Sequence, residues 1–142
     1  MAYGKVVLPR GAKMRRLPIG IGRGLRMEID FAYQTRLYLG LYETELNGHL
    51  RHLATPGASS FDVGAQFGYD ALVLAKLTGG RVRTFECDQH VMPSLRRNLE
   101  ANPKHAARIE VVPLAVSATT DQKAGTITLD DACTTPPPVV HA

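Results

Sequence analysis

Cysteine is scarce in this chain, and a long apolar run is missing altogether. Cys87 and Cys133 stand far apart, with no CxxC and no histidine at ligand spacing, which excludes a disulfide framework and a zinc site and leaves two free thiols. No apolar stretch approaches the roughly 20 residues a membrane helix needs, and the opening MAYGKVVLPRGAKMRRLP has no signal-peptide apolar block, so a cytoplasmic protein without a membrane span is expected. Acidic residues are absent from positions 1 to 26, where Lys5, Arg10, Lys13, Arg15, Arg16, Arg23 and Arg26 accumulate. The net charge is +4, so the remainder is slightly acidic. Tyr3 alone interleaves with those cations and no nucleic-acid module is recognisable, so they read as a solvated leader and no nucleic-acid partner is expected.

What is present is ordinary globular material. The 142 residues are 44% hydrophobic and 21% charged, enough for one domain with a real core but small for a complete doubly wound enzyme. KVVL at 5 to 8 and LRMEIDF at 25 to 31 read as two strands joined by a Gly, Pro and Arg-rich loop, an appended β-hairpin. In the second, Leu25, Met27, Ile29 and Phe31 share one face, and Arg26, Glu28 and Asp30 the other. From Tyr42 the period changes, with Leu46, Leu50 and Leu53 at helical spacing up to ATPG. SSFDVGA is a brief strand entering a glycine turn, Tyr69 to Leu77 a buried helix ended by Gly79 and Gly80, and RVRTFE the returning strand. Asp88 is placed to cap a helix from about Gln89 to the Asn102-Pro103 stop. A third strand runs from Ile109 towards Val116, a short one is expected over ITLD, and TTPPPVV reads as an extended connector. The alternation implies α/β architecture with an incomplete parallel sheet and right-handed crossovers.

The informative stretch lies where the first core strand meets its helix. Gly64 and Gly68 let backbone approach a ligand there, and donors at the turn and the helix N-terminus can face a carboxylate or polar tail. The two glycines stand as GxxxG, with no GxGxxG, which argues against NAD. Glu86, at the tip of the next strand, is suited to accept hydrogen bonds from vicinal ribose hydroxyls. An adenosyl ligand satisfies both ends.

DVGAQFGYDALVLAK, then VRTFECD and a helix ending NLEANP, resembles the FkbM family of S-adenosylmethionine-dependent methyltransferases. LGLYE at 39 to 43 and GTITLDD at 125 to 131 are similar to that family's flanking elements, so the resemblance covers about residues 25 to 131. It implies a Rossmann-like class I methyltransferase fold with S-adenosylmethionine as cofactor, residues 1–31 being a basic extension and 32–142 a partial cofactor-binding domain. By position, Asp62, Gly64, Ala65 and Gly68 would form the methionine-end turn, with Gln66 where the family often has Asn. Glu86 would take the ribose, with Asp88, Leu114 and Ala115 near the adenosine. Cys87 departs from the proline common after the acidic residue, and the DVEG-like strand that follows TLDD in the family is absent. The implied activity is O-methyl transfer to a small-molecule or sugar hydroxyl. A truncated, non-catalytic binding module and a basic interaction protein retaining the fold are the alternatives. Tyr42 and Glu43 are candidates for the acceptor side, and no catalytic base or metal ligand set can be assigned, since His49, His52, His90, His105 and His141 are scattered.

Overall fold

The computed structural model describes residues 11–121 and 123–134; the KVVL segment, Lys5, Arg10, His141 and nearly all of the TTPPPVV connector lie outside them. Strands β1 (Lys13–Arg16) and β2 (Arg26–Ile29) form an antiparallel hairpin, with Arg15 opposite Met27. The hairpin's first described strand therefore lies within the stretch expected to be loop. KMRR has no apolar alternation of its own and is held by pairing with RMEI. The hairpin carries Leu17, Ile21, Leu25, Met27 and Ile29, all buried in one cluster with Tyr69, Leu72 and Val73.

A short helix α1 (Thr35–Tyr38) and the amphipathic α2 (Thr44–Leu53) follow. Helix α2 buries none of its residues fully: Leu50 packs against the main core, while Leu53 stays 72% exposed. Then come β3 (Ser60–Val63), α3 (Tyr69–Thr78), β4 (Val82–Phe85), α4 (Met92–Glu100), α5 (Pro103–Ala106) and β5 (Ile109–Val112). Strands β3, β4 and β5 form a parallel sheet in that order, Asp62 beside Thr84 and Thr84 beside Val111. Such pairing with helical crossovers is the half-sheet expected from the sequence.

Three local expectations are corrected. Helix α4 begins at Met92, because Asp88 spends its side chain on the His90 amide and its carbonyl on Val91 and Met92, making a turn before the helix. Pro113 separates β5 from β6 (Ala115–Val116), which pairs with β7 (Thr126–Ile127) in a separate two-stranded sheet. The strand expected over ITLD ends at Ile127, and Leu129–Thr134 is helix α6, with Thr128 Oγ1 accepting the Asp131 amide at its start.

One face of the sheet is covered by α3, whose Ala71 and Ala75 cluster with Val82 of β4, and by α4, whose Leu95 clusters with Val111 of β5. The other carries Phe61, Val63, Arg83, Phe85, Glu110 and Val112, of which Phe85 and Val112 pack under Ala132 of α6. Phe61 and Val63 remain 45% and 55% exposed. Among the described residues β3 pairs on one side alone, and no helix is long and apolar enough to cross a membrane.

Two buried asparagines, Asn98 in α4 and Asn102 at the start of α5, bind this part of the chain to the hairpin. Asn98 Oδ1 accepts the Glu28 amide at 2.6 Å and its Nδ2 donates to the Phe67 carbonyl at 2.9 Å. Asn102 Oδ1 accepts the Arg26 amide at 2.9 Å and its Nδ2 donates to the Arg26 carbonyl at 2.6 Å. These side chains satisfy β2 backbone groups where a further strand would otherwise sit.

Candidate functional site

The carboxyl ends of parallel strands are where open α/β sheets hold ligands, and β3 ends there in a tightly specified turn. Gly64 and Gly68 adopt φ of 86° and 78°, conformations that suit glycine. Gln66, at φ 46°, is a non-glycine residue in the left-handed region, where Asn is tolerated better than Gln. The Gly64 and Ala65 amides both donate to the Phe85 carbonyl, at 2.9 and 3.0 Å, so the tip of β4 fixes the turn. Gly68 caps α3, and a Cβ there would meet Leu95 at 3.4 Å.

Glu86 is buried, 7% exposed, directly behind this turn. One carboxylate oxygen accepts the Gln66 amide at 2.8 Å and the other the Asp88 amide at 2.7 Å. A carboxylate offers about four lone-pair positions, so each oxygen keeps one for a further donor. Asp62 accepts from the hydroxyl of Thr84, itself fully buried, at 2.6 Å, and from the Ala71 amide.

In front of the turn lies a cavity of about 720 Å³, whose walls include Asp62, Gly64, Ala65 and Gln66. The hairpin supplies Glu28 and Asp30, the α1 region Tyr33, Gln34 and Leu37, and the following segment Tyr42 and Glu43. Tyr69 and Asp70 close it from α3, and the Tyr42 and Tyr69 rings meet edge to face at 5.7 Å. Of the ten residues expected at a cofactor, Asp62, Gly64, Ala65 and Gln66 line this cavity. Gly68 and Glu86 sit behind it as cap and clamp. Cys87 and Asp88 are exposed beyond the β4 tip, while Leu114 packs against the Phe85 cluster and Ala115 is half-buried in β6.

The cavity is predominantly acidic, with Arg36 the one lysine or arginine among its described lining residues. Glu28, Asp30, Glu43, Asp62 and Asp70 all line it; Glu28 is paired, to Arg97 at 2.8 Å, and among the described residues none of the other four has an ion-pair partner. Burial, then the charges of Asp62 and Glu43, pushes Asp70 up to about 6. Burial likewise raises Asp62, and raises Tyr69 to about 12. Asp70 was missed from sequence although it stood in view, an acid in the first turn of the otherwise apolar YDALVLAKL. Glu28 and Asp30 were assigned to the solvent face of their strand; that face fronts the cavity.

No family model and no curated protein matches the sequence. Among solved structures, a Pyrococcus horikoshii protein named as a transferase superposes with a TM-score of 0.53 at 17% identity, over 73% of this chain and 36% of that one. A Clostridium thermocellum protein named as an rRNA methylase gives 0.44 at 20% identity, over 48% and 37%. P. horikoshii TYW2 in complex with MeSAdo gives 0.49 at 19% identity, over 65% and 33%. The chain spans about a third of the length of these structures. The first likeness, with the parallel half-sheet, defines the fold as Rossmann-like α/β.

Proposed function

We propose that this chain is the cofactor-binding part of an S-adenosylmethionine-dependent methyltransferase of the FkbM type, acting in the cytoplasm on a hydroxyl of a small molecule or sugar. The observation that carries the reading is the cavity at the β3 turn, with the left-handed Gly64 and Gln66 backbone on one wall and carboxylates lacking ion-pair partners on the others. S-adenosylmethionine carries an ammonium and a sulfonium, and Asp62, Asp70 and Glu43 suit both charges, whereas a dinucleotide's pyrophosphate would be repelled. In this reading residues 32–142 hold the cofactor and the hairpin within 1–31 adds Glu28 and Asp30 to its wall. Glu86 holds the turn and offers its remaining lone pairs to the ribose, with Asp88, Leu114 and Ala115 towards the adenine.

When bound, the cofactor supplies an electrophilic methyl group; the protein's part is to orient it and the acceptor. Cofactor binding without transfer by this chain is a second reading, favoured by the exposed Phe61 and Val63 on the bare side of β3.

The test is calorimetric titration with S-adenosylmethionine, NAD as control, on the wild type and on Glu86→Ala and Gly68→Leu variants whose folding is checked by circular dichroism. Saturable binding weakened in folded variants supports the assignment and justifies an acceptor screen. A folded wild-type chain that binds no S-adenosylmethionine refutes it.

A further inference from the structure

At the opposite end of the sheet, where β3, β4 and β5 begin, a second cavity of about 470 Å³ is lined by Ser59, Ser60, Phe61, Arg81, Arg83 and Arg108 among others. Arg81 and Arg108 are exposed there, and Arg83 is paired with Glu110 at 2.9 Å. The cationic character continues outward. Lys76, in the last turn of α3, donates to the Ile21 and Arg23 carbonyls at 2.9 and 2.8 Å, tying the hairpin loop to this end. After burial, the charges of Arg51 and Arg23 hold the Lys76 pKa down, and those of Lys104, Lys76 and Arg108 do the same to His105. Arg108 Nη1 donates to the Lys104 carbonyl at 2.9 Å, which sets Lys104 beside Arg108 at this end. Among the described residues no carboxylate ion-pairs with Lys104, Arg108 or Arg81.

We propose that this end of the molecule is a binding surface for single-stranded nucleic acid, with backbone phosphates at Arg81 and Arg108 and a base against Phe61. A cationic groove that tracks phosphates beside an exposed aromatic ring is the recipe for such binding. Phe61, 45% exposed, lines the cavity between the arginines and the serine hydroxyls, which can donate to phosphate oxygens. An anionic lipid surface fits less well, because it asks for cations on a flat face ringed by apolar residues, and these arginines line a recess. The surface lies at the far end of the sheet from the acidic cavity, so this inference stands whether or not the methyltransferase reading does.

The experiment is fluorescence anisotropy of the full 142-residue chain with a labelled single-stranded RNA of about 20 nucleotides. With about two phosphates neutralised, affinity should fall about 7-fold between about 50 and about 200 mM salt. The Arg81→Glu/Arg108→Glu double variant should lose at least about 10-fold in affinity and flatten the salt dependence. Phe61→Ala should lose about 5-fold or more with the salt slope kept. Arg96→Glu, on the exposed side of α4, should change little. Thermal melting establishes that each variant is folded, and phosphatidylserine vesicles form a parallel arm. Absence of RNA binding at low salt, equal loss in Arg96→Glu, or tighter binding to vesicles than to RNA would each overturn the proposal.

Discussion

Replacing Asp70 by asparagine should stabilise the free protein at neutral pH while weakening its hold on a cationic ligand. Burial and the neighbouring carboxylates of Asp62 and Glu43 lift Asp70 from an ordinary 3.8 to about 6. An acid whose folded pKa lies above its unfolded one binds its proton more tightly when folded. Its contribution to stability is therefore full below about pH 3.8 and is lost as pH rises through about 6. At about 1.4 kcal/mol for each factor of ten, the loss approaches 3 kcal/mol, and solvent screening of a partly exposed carboxylate brings it to about 2 kcal/mol. Asp70→Asn removes the titration, so at pH 7 the variant should melt about 6 °C higher than wild type, and at pH 4 the two should nearly coincide. Differential scanning calorimetry between pH 4 and 8 reads this directly. A ligand cation placed beside Asp70 favours its ionised form, so S-adenosylmethionine should bind wild type more tightly as pH rises through about 6, with the dependence blunted in the variant. A gap in melting temperature that is the same at every pH, or an Asp70→Asn protein less stable at pH 7, would refute the electrostatic account of the cavity.

Other substitutions test the supports of that cavity. Gln66→Asn should stabilise by about 0.5 kcal/mol in chemical denaturation, because the φ of 46° suits asparagine; a loss would mean the glutamine side chain has a role of its own. Asn98→Ala leaves the Glu28 amide and the Phe67 carbonyl without their partner and should cost about 2 to 4 kcal/mol by urea melts, with a weaker cofactor site because the turn loses its tether. Gly80→Ala puts a Cβ 2.0 Å from the Ala58 carbonyl oxygen, a backbone atom that cannot swing aside, and should lower the yield of folded protein sharply compared with Gly48→Ala, where the space is open.

Much of the core architecture was legible in the sequence because it is written in short-range signals. The alternation of LRMEIDF, the apolar YDALVLAKL closed by Gly79-Gly80, and the strand RVRTFE each fix an element by periodicity and turn chemistry, and Leu25, Met27 and Ile29 are buried as that alternation requires. Elements held by tertiary pairing were not legible. KMRR is a strand because RMEI lies beside it, and ITLD gives up its second half to a helix capped by Thr128. The site was legible in part for the same reason. Asp62 to Gln66 form a contiguous turn, whereas Glu28 and Asp30 from the hairpin and Asp70 from α3 reach the same cavity from two further segments. The cationic recess is assembled likewise: Arg81 and Arg108 are separated in sequence, and the parallel pairing of β4 and β5, which they precede, brings them to one end.

The paired asparagines Asn98 and Asn102 carry one more consequence. By occupying the Arg26 and Glu28 amides with side chains, they give an outer strand the hydrogen-exchange behaviour of an inner one. Those two protons can exchange only when the α4–α5 segment lifts away, and Asn98 also holds the Phe67 carbonyl of the ligand turn. Their exchange rates are therefore a built-in gauge of how firmly the turn is seated, and a ligand that tightens the turn should slow exchange in a hairpin strand beyond its direct contacts.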